Sequence, residues 1–228
     1  MAKTVTIKAS DGSGSFSAYV AGDKGPGVLV IQEIFGVNKV MRDICDDLAK
    51  QGYVALCPDL FWRQEPGVDI TDQSKAEWDK AFALFGGFNL DKGVDDLKAS
   101  LAELRKLSSG KVGTVGYCLG GRLAFLMACR SDVDAAVSYY GVMLADHLGE
   151  VGNIKKPLLM HVATEDKFVP KDAQAKVKEA VAKNPNVTLH EYQGNDHAFA
   201  RVGGEHYDKS AADLANGRSA DFFKKHLS

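Results

Sequence analysis

Residues 112–122 run Val-Gly-Thr-Val-Gly-Tyr-Cys-Leu-Gly-Gly-Arg, an apolar stretch leading straight into Gly-x-Cys-x-Gly and then a helix-forming stretch. Few chain paths satisfy that order. A strand that passes into a helix through so tight a turn holds the central residue in a strained conformation. Side chains two positions before and after that residue would collide, and Gly116 and Gly120 remove the collision. Cys118 is then presented at the carboxyl end of the strand, beside a helix N-terminus. Backbone N–H groups and the helix dipole favour a thiolate or a developing oxyanion there. A free cysteine is more often a small buried hydrophobe. That reading suits Cys45 on an apolar helix face, Cys57 at a strand end and Cys129 at a helix end. At Cys118 strand, spacing and helix agree, and a nucleophile is expected.

The rest of the chain repeats the strand-then-helix theme. Residues 4–8 and 16–20 read as two antiparallel strands joined through Asp11-Gly12-Ser13-Gly14. Val28-Leu29-Val30-Ile31 is a continuous apolar run, mostly β-branched, as a strand buried on both faces should be. Helices are predicted over 38–51, 71–85, 91–107, 120–129, 172–182 and 206–226, and further strands over 53–57, 111–115, 134–140, 157–162 and 187–192. Strands alternating with helices imply an α/β fold, a mostly parallel central sheet with helices on both faces. No linker, repeat or low-complexity segment divides residues 1–228, so a single domain is expected.

Composition removes whole classes of function. Lys plus Arg is 28 against 30 for Asp plus Glu, a net charge of -2, which argues against nucleic acid as partner. No run approaches the roughly 20 apolar residues of a membrane span. The opening MAKTVTIKAS lacks a signal peptide's apolar core. The four cysteines show no CxxC spacing and no histidine at metal-ligand intervals. A cytoplasmic protein with reduced thiols, no membrane partner, no metal and no cofactor is therefore expected, acting as a monomer.

An elbow nucleophile needs a base and an orienting acid, which follow it in the order nucleophile, acid, base. Asp166 lies in a loop just past the strand at 157–162, and His197 in the loop between the strand at 187–192 and the last helix. His197 would take the thiol proton, and Asp166 would fix its tautomer. Glu165 and Asp196 are adjacent competitors for the acid. Of the other histidines, His161 and His190 fall in strands, His206 and His226 in a helix, and His147 in a polar loop, all addresses of structural histidines. The spacing of Gly113 and Gly116 does not fit a dinucleotide-binding G-x-G-x-x-G.

With those residues placed, the chain resembles the dienelactone hydrolase (carboxymethylenebutenolidase) family, of α/β-hydrolase fold. The matching segments are Gln32-Glu33-Ile34-Phe35-Gly36, Cys57-Pro58-Asp59-Leu60, 113–121, Tyr139-Tyr140-Gly141, the Glu165-Asp166 loop and Asp196-His197-Ala198-Phe199-Ala200-Arg201. They run in order through nearly the whole chain. The resemblance implies opening of a small lactone or activated ester in aromatic-compound catabolism, with Cys118, Asp166 and His197 as the triad. It implies oxyanion donors in the backbone N–H groups of Ile34 and Leu119, and a glutamate, Glu33, that contacts the resting thiol and helps to activate it. Such a carboxylate can accept the thiol proton but opposes the thiolate by like charge. The family holds its substrate's carboxylate with two arginines. Arg201 matches one, a guanidinium fork suited to a carboxylate. Trp78 stands where the other would be, with Phe82 and Phe85 nearby in place of Tyr and Trp, while Phe35 and Tyr140 complete the substrate side. Trp78, Phe82 and Phe85 also have the spacing of an ordinary core-facing helix stripe. An esterase or thioesterase for less anionic substrates, and a redox-sensing module without turnover, are the alternatives.

Overall fold

The computed structural model describes residues 2–228, which resolve into two compact units, one ending at Val112 and the other starting at Gly113. In the first, strands β1 (Lys3–Lys8), β2 (Ser15–Ala21), β3 (Gly27–Ile31) and β4 (Val54–Pro58) lie in the order β1-β2-β4-β3. β1 and β2 form the antiparallel pair expected, β2 is antiparallel to β4, and β3 is parallel to β4. Every residue of β3 and β4 is buried, as their unbroken apolar sequences require. Three helices belong to this unit: α1 (Lys39–Lys50), α2 (Lys75–Gly86) and α3 (Leu90–Leu107). Val94, Leu97, Leu101 and Leu104 of α3 are buried at helical spacing.

The second unit is the parallel half. Strands β5 (Val112–Tyr117), β6 (Ala135–Tyr139), β7 (Leu158–Ala163) and β8 (Val187–Tyr192) run side by side in chain order. Their pairings are all parallel, so the four carboxyl ends share one edge. Helices α4 (Leu119–Arg130), α5 (Lys171–Val181) and α6 (Lys209–Leu227) make the crossovers and the closing segment. In such a sheet the loops at the carboxyl ends are where ligands bind. Cys118, Tyr140, Asp166 and His197 each follow one of these four strands.

Three expectations are corrected. The helix predicted from residue 71 starts at Lys75, because Ser74 caps it: Ser74 Oγ accepts from the Glu77 N–H at 3.3 Å and donates to Glu77 Oε2 at 2.7 Å. Thr71 is turned outward by bonds from its N–H and hydroxyl to Glu77 Oε1. The last helix starts at Lys209 rather than 206, with Asp208 accepting from the Ala211 N–H, so His206 lies outside it. Residues 144–153, which include His147, form a 3₁₀ segment. It is tied down by Arg122, which donates to His147 Nε2 at 3.0 and 2.8 Å, and by Glu150, which is bidentate to Arg130.

Candidate active site

β5 continues two residues further than predicted and ends directly at Cys118. Cys118 has φ 57° and ψ -114°, a conformation disfavoured for a residue with a Cβ, and it is the N-cap of α4. Its N–H bonds the Tyr139 carbonyl at 3.1 Å, and its carbonyl accepts the Arg122 N–H at 3.1 Å, so both sides of the turn are held. A Cβ on Gly116 would run into the carbonyl of Gly120, which is why the turn demands glycine. Leu119, next in the chain, opens the helix with an N–H that no preceding turn can satisfy. The other three cysteines are buried in core positions, as expected.

The acid and base loops converge. Asp166 Oδ2 lies 2.8 Å from His197 Nδ1, and both side chains are almost fully buried. Asp166 Oδ1 accepts the Phe168 N–H at 2.8 Å, which fixes the carboxylate's orientation. Glu165, the adjacent competitor, points away into an exposed pair with Lys171. His197 Nε2 is buried with no conventional hydrogen-bond partner. Burial disfavours charge on His197, but the negative charge of a Cys118 thiolate and the Asp166 carboxylate outweigh it, raising His197 to about 10. Charge on the imidazole is thus favoured by both the Cys118 sulfur and the Asp166 carboxylate.

Around the imidazole the walls are aromatic. Tyr140 (φ 36°) meets the His197 ring edge-to-face at 5.1 Å and Phe199 at 5.5 Å. Phe168 also meets the imidazole edge-to-face, at 4.9 Å, while remaining 47% exposed. No expectation from sequence falls on Phe168, although its position two residues after the acid is a usable signal. Arg201 is buried, and Gly204 packs close to it: a Cβ there would sit 2.8 Å from the Arg201 Nε.

The first unit holds the remaining predicted site residues. Glu33, Ile34 and Phe35 follow β3 and are buried. Their loop is clamped: Gln32 Oε1 accepts the Leu60 N–H at 3.0 Å, Gln32 Nε2 donates to the Glu33 carbonyl, and the Phe35 carbonyl accepts the Ile70 N–H. Phe35 packs edge-to-face on Trp78 at 5.1 Å, and Trp78 stacks on Phe82 at 5.3 Å. Trp78 Nε1 donates to the Asp72 carbonyl, so its polar edge is already engaged. α2 buries Ala81 and Leu84, whereas Phe82 is 46% exposed and Trp78 and Phe85 are half-buried. These aromatics are therefore not a plain core stripe. Arg63 is committed to Asp96 and Asp11, whereas Lys75 makes only an exposed surface pair with Asp79.

Among the described residues no group of three or more His, Cys, Asp or Glu could hold a metal, and no helix is long and apolar enough to cross a membrane. Comparison with known proteins places the chain in a family. In solved structures, the chain is similar to a putative dienelactone hydrolase from Klebsiella pneumoniae (TM-score 0.84, 24% identity, 99% of each chain covered), which shows the α/β-hydrolase fold. In sequence it is 56% identical to a putative carboxymethylenebutenolidase of Azospirillum brasilense, over 98% of each chain. It is 43% identical to a carboxymethylenebutenolidase of Pseudomonas putida, over 96% of this chain and 94% of that one. The model of the dienelactone hydrolase family matches residues 16–227. A match that takes in the elbow, both loops and the segment after β3 leaves one assignment: the chain is a hydrolase and belongs to the dienelactone hydrolase family.

Proposed function

We propose that this hydrolase opens an enol lactone such as dienelactone, or a closely related activated ester, through Cys118 and a thioester acyl-enzyme. The observation that carries the reading is the 2.8 Å contact of Asp166 Oδ2 with His197 Nδ1, with His197 charge-coupled to a sulfur on a strained elbow. His197 Nε2 takes the thiol proton, and the thiolate adds to the lactone carbonyl. The oxyanion rests on the Leu119 N–H and, as the resemblance implies, on that of Ile34. Collapse expels the ring oxygen as an enolate, protonated from His197, and leaves the acyl group on sulfur. Water, deprotonated by His197, then releases the carboxylate and the thiol. An enolate is a stabilised leaving group, which suits a thiol nucleophile. On the same resemblance, Glu33 is proposed to hold the resting thiol and assist its activation.

On the same resemblance, Arg201 supplies the cation for a substrate carboxylate, and Tyr140 and Phe35 are substrate-side residues. Trp78, Phe82 and Phe85 support a second reading, a broader esterase for less anionic substrates, because the aromatic cluster is partly exposed and Trp78 has its N–H engaged. The test is loss of ultraviolet absorbance of cis and trans dienelactone beside hydrolysis of a neutral aryl ester. Cys118→Ala should lower kcat/KM by about 1,000-fold or more on every substrate with the fold intact. Full turnover by that variant sinks the mechanism. Arg201→Ala should raise KM for the anionic lactone more than for the neutral ester. Equal effects would move the substrate class to the second reading.

A further inference from the structure

Asp196, beside the base in sequence, has no part in the mechanism above, yet it occupies the junction of the two loops that carry the acid and the base. One oxygen, Oδ1, accepts the N–H of His197 itself at 2.7 Å and the N–H of Lys167, the residue after Asp166, at 3.0 Å. The other, Oδ2, faces Lys167 Nζ at 2.8 Å and His206 Nε2 at 3.5 Å. The side chain is only 15% exposed. Elsewhere the loops are joined at their bases: the Thr164 N–H to the Tyr192 carbonyl, the Gly194 N–H to Thr164 Oγ1, and the Glu165 N–H to the Asn195 carbonyl. Beyond those bonds, Asp196 Oδ1 ties the two loops at the level of the reacting side chains.

We propose that Asp196 is a positioning residue that sets the separation of Asp166 and His197 by bridging their backbones through a single carboxylate oxygen. The inference rests on the triad reading above, since it matters to catalysis only if that pair does the proton transfer. Burial raises the Asp196 carboxyl, but the Lys167 ammonium, the two N–H donors and His206 outweigh it and hold it at about 2. The carboxylate is thus present as an acceptor throughout the working range. Lys167 is itself raised by Asp196, with Glu205 also contributing, and its side chain is largely exposed. The ion pair is therefore screened, and the work falls on the two N–H bonds.

A misplacement of about 1 Å at a catalytic pair costs on the order of 100-fold in rate. Asp196→Ala should accordingly lower kcat by about 10–100-fold with KM within about 2-fold. Asp196→Asn keeps an acceptor oxygen at the same reach and should recover kcat to within about 3-fold of the parent. Proton NMR gives a readout independent of turnover. The low-field Nδ1 proton of His197 against Asp166 should broaden or vanish in the alanine variant and persist in the asparagine variant. If the alanine variant does not fold, Asp196→Val, which also lacks an acceptor and stays closer to aspartate in size, reports the same loss. An alanine variant with parental kcat and an unshifted proton overturns the proposal, as does an asparagine variant as slow as alanine. Failure of the triad reading looks different. Asp166→Asn and His197→Ala would then turn over normally, while the proton signal would still report whether Asp196 holds the pair.

Discussion

Two atoms decide whether Cys118 can be presented at all: the absent Cβ of Gly116 and the carbonyl oxygen of Gly120 that would occupy its place. Gly116→Ala forces the elbow to open and should destabilise the protein by about 3 kcal/mol or more, read as a lowered urea midpoint. An alanine variant of unchanged stability would mean the turn relaxes freely and stores no strain. The same turn sets the electrostatics of the base. A Cys118 thiolate is the strongest influence raising His197 and is assisted by Asp166, so removing the sulfur should bring the histidine down. In Cys118→Ser the imidazole, followed by NMR, should titrate well below its position in the parent. A histidine that titrates unchanged would show that Asp166 alone supports its charge.

At the scale of elements, the segment after β4 is anchored to α3 by one carboxylate. Asp96, fully buried, accepts from Trp62 Nε1 at 2.9 Å and from Arg63 Nε and Nη2 at 2.9 and 2.8 Å. Asp96→Ala leaves a guanidinium, 18% exposed, and a half-buried indole without their acceptor, at a cost of about 3–5 kcal/mol. Thermal unfolding checks it, and a loss below about 1 kcal/mol would show that Asp11, at 3.0 Å from Arg63, takes over the charge. No sequence pattern advertises this anchor, since its partners lie more than thirty positions apart. The contrast with the elbow is physical. Gly-x-Cys-x-Gly is legible because both colliding positions lie within five residues, and the triad order is legible because each member follows a strand end. The capping box Ser74-x-x-Glu77 was equally local and would have corrected the start of α2. The 3₁₀ segment at 144–153 escaped because it is fixed by the non-local Arg122–His147 and Arg130–Glu150 contacts. Asp196 escaped because adjacency to His197 looks the same whether the side chain turns toward solvent or toward Lys167.

For the molecule as a whole, two buried histidines pull stability in opposite directions along the pH axis. His161, on β7, sits inside an ordered chain of hydrogen bonds. Arg218 donates to the Tyr192 hydroxyl at 3.2 Å, and Tyr139 donates to Asn216 at 2.9 Å. With those ends fixed, Ser219 gives its proton to Tyr139, His161 Nε2–H donates to Ser219, and Tyr192 donates to the bare His161 Nδ1. Burial, with His190 and Arg218 nearby, lowers His161 from 6.5 to about 3. The unfolded chain binds that proton below about 6.5 and the fold resists it, so this contribution is complete above 6.5 and is lost as pH falls toward 3. His197 runs the other way. Raised to about 10, it gives its full contribution below 6.5 and loses it as pH climbs toward 10. The expected result is a domed curve of unfolding midpoint against pH, with His161 contributing to the acid limb beside carboxylates held low in the fold, Asp196 among them, and His197 to the alkaline limb. Cys118→Ala should flatten the alkaline limb alone. His161→Gln should lower the plateau, because the bond chain is cut, and flatten the acid limb. His147 and His190 are also lowered but are less enclosed than His161, so a parental acid slope in that variant would transfer the limb to them and to carboxylates such as Asp196, and remove His161 from the account.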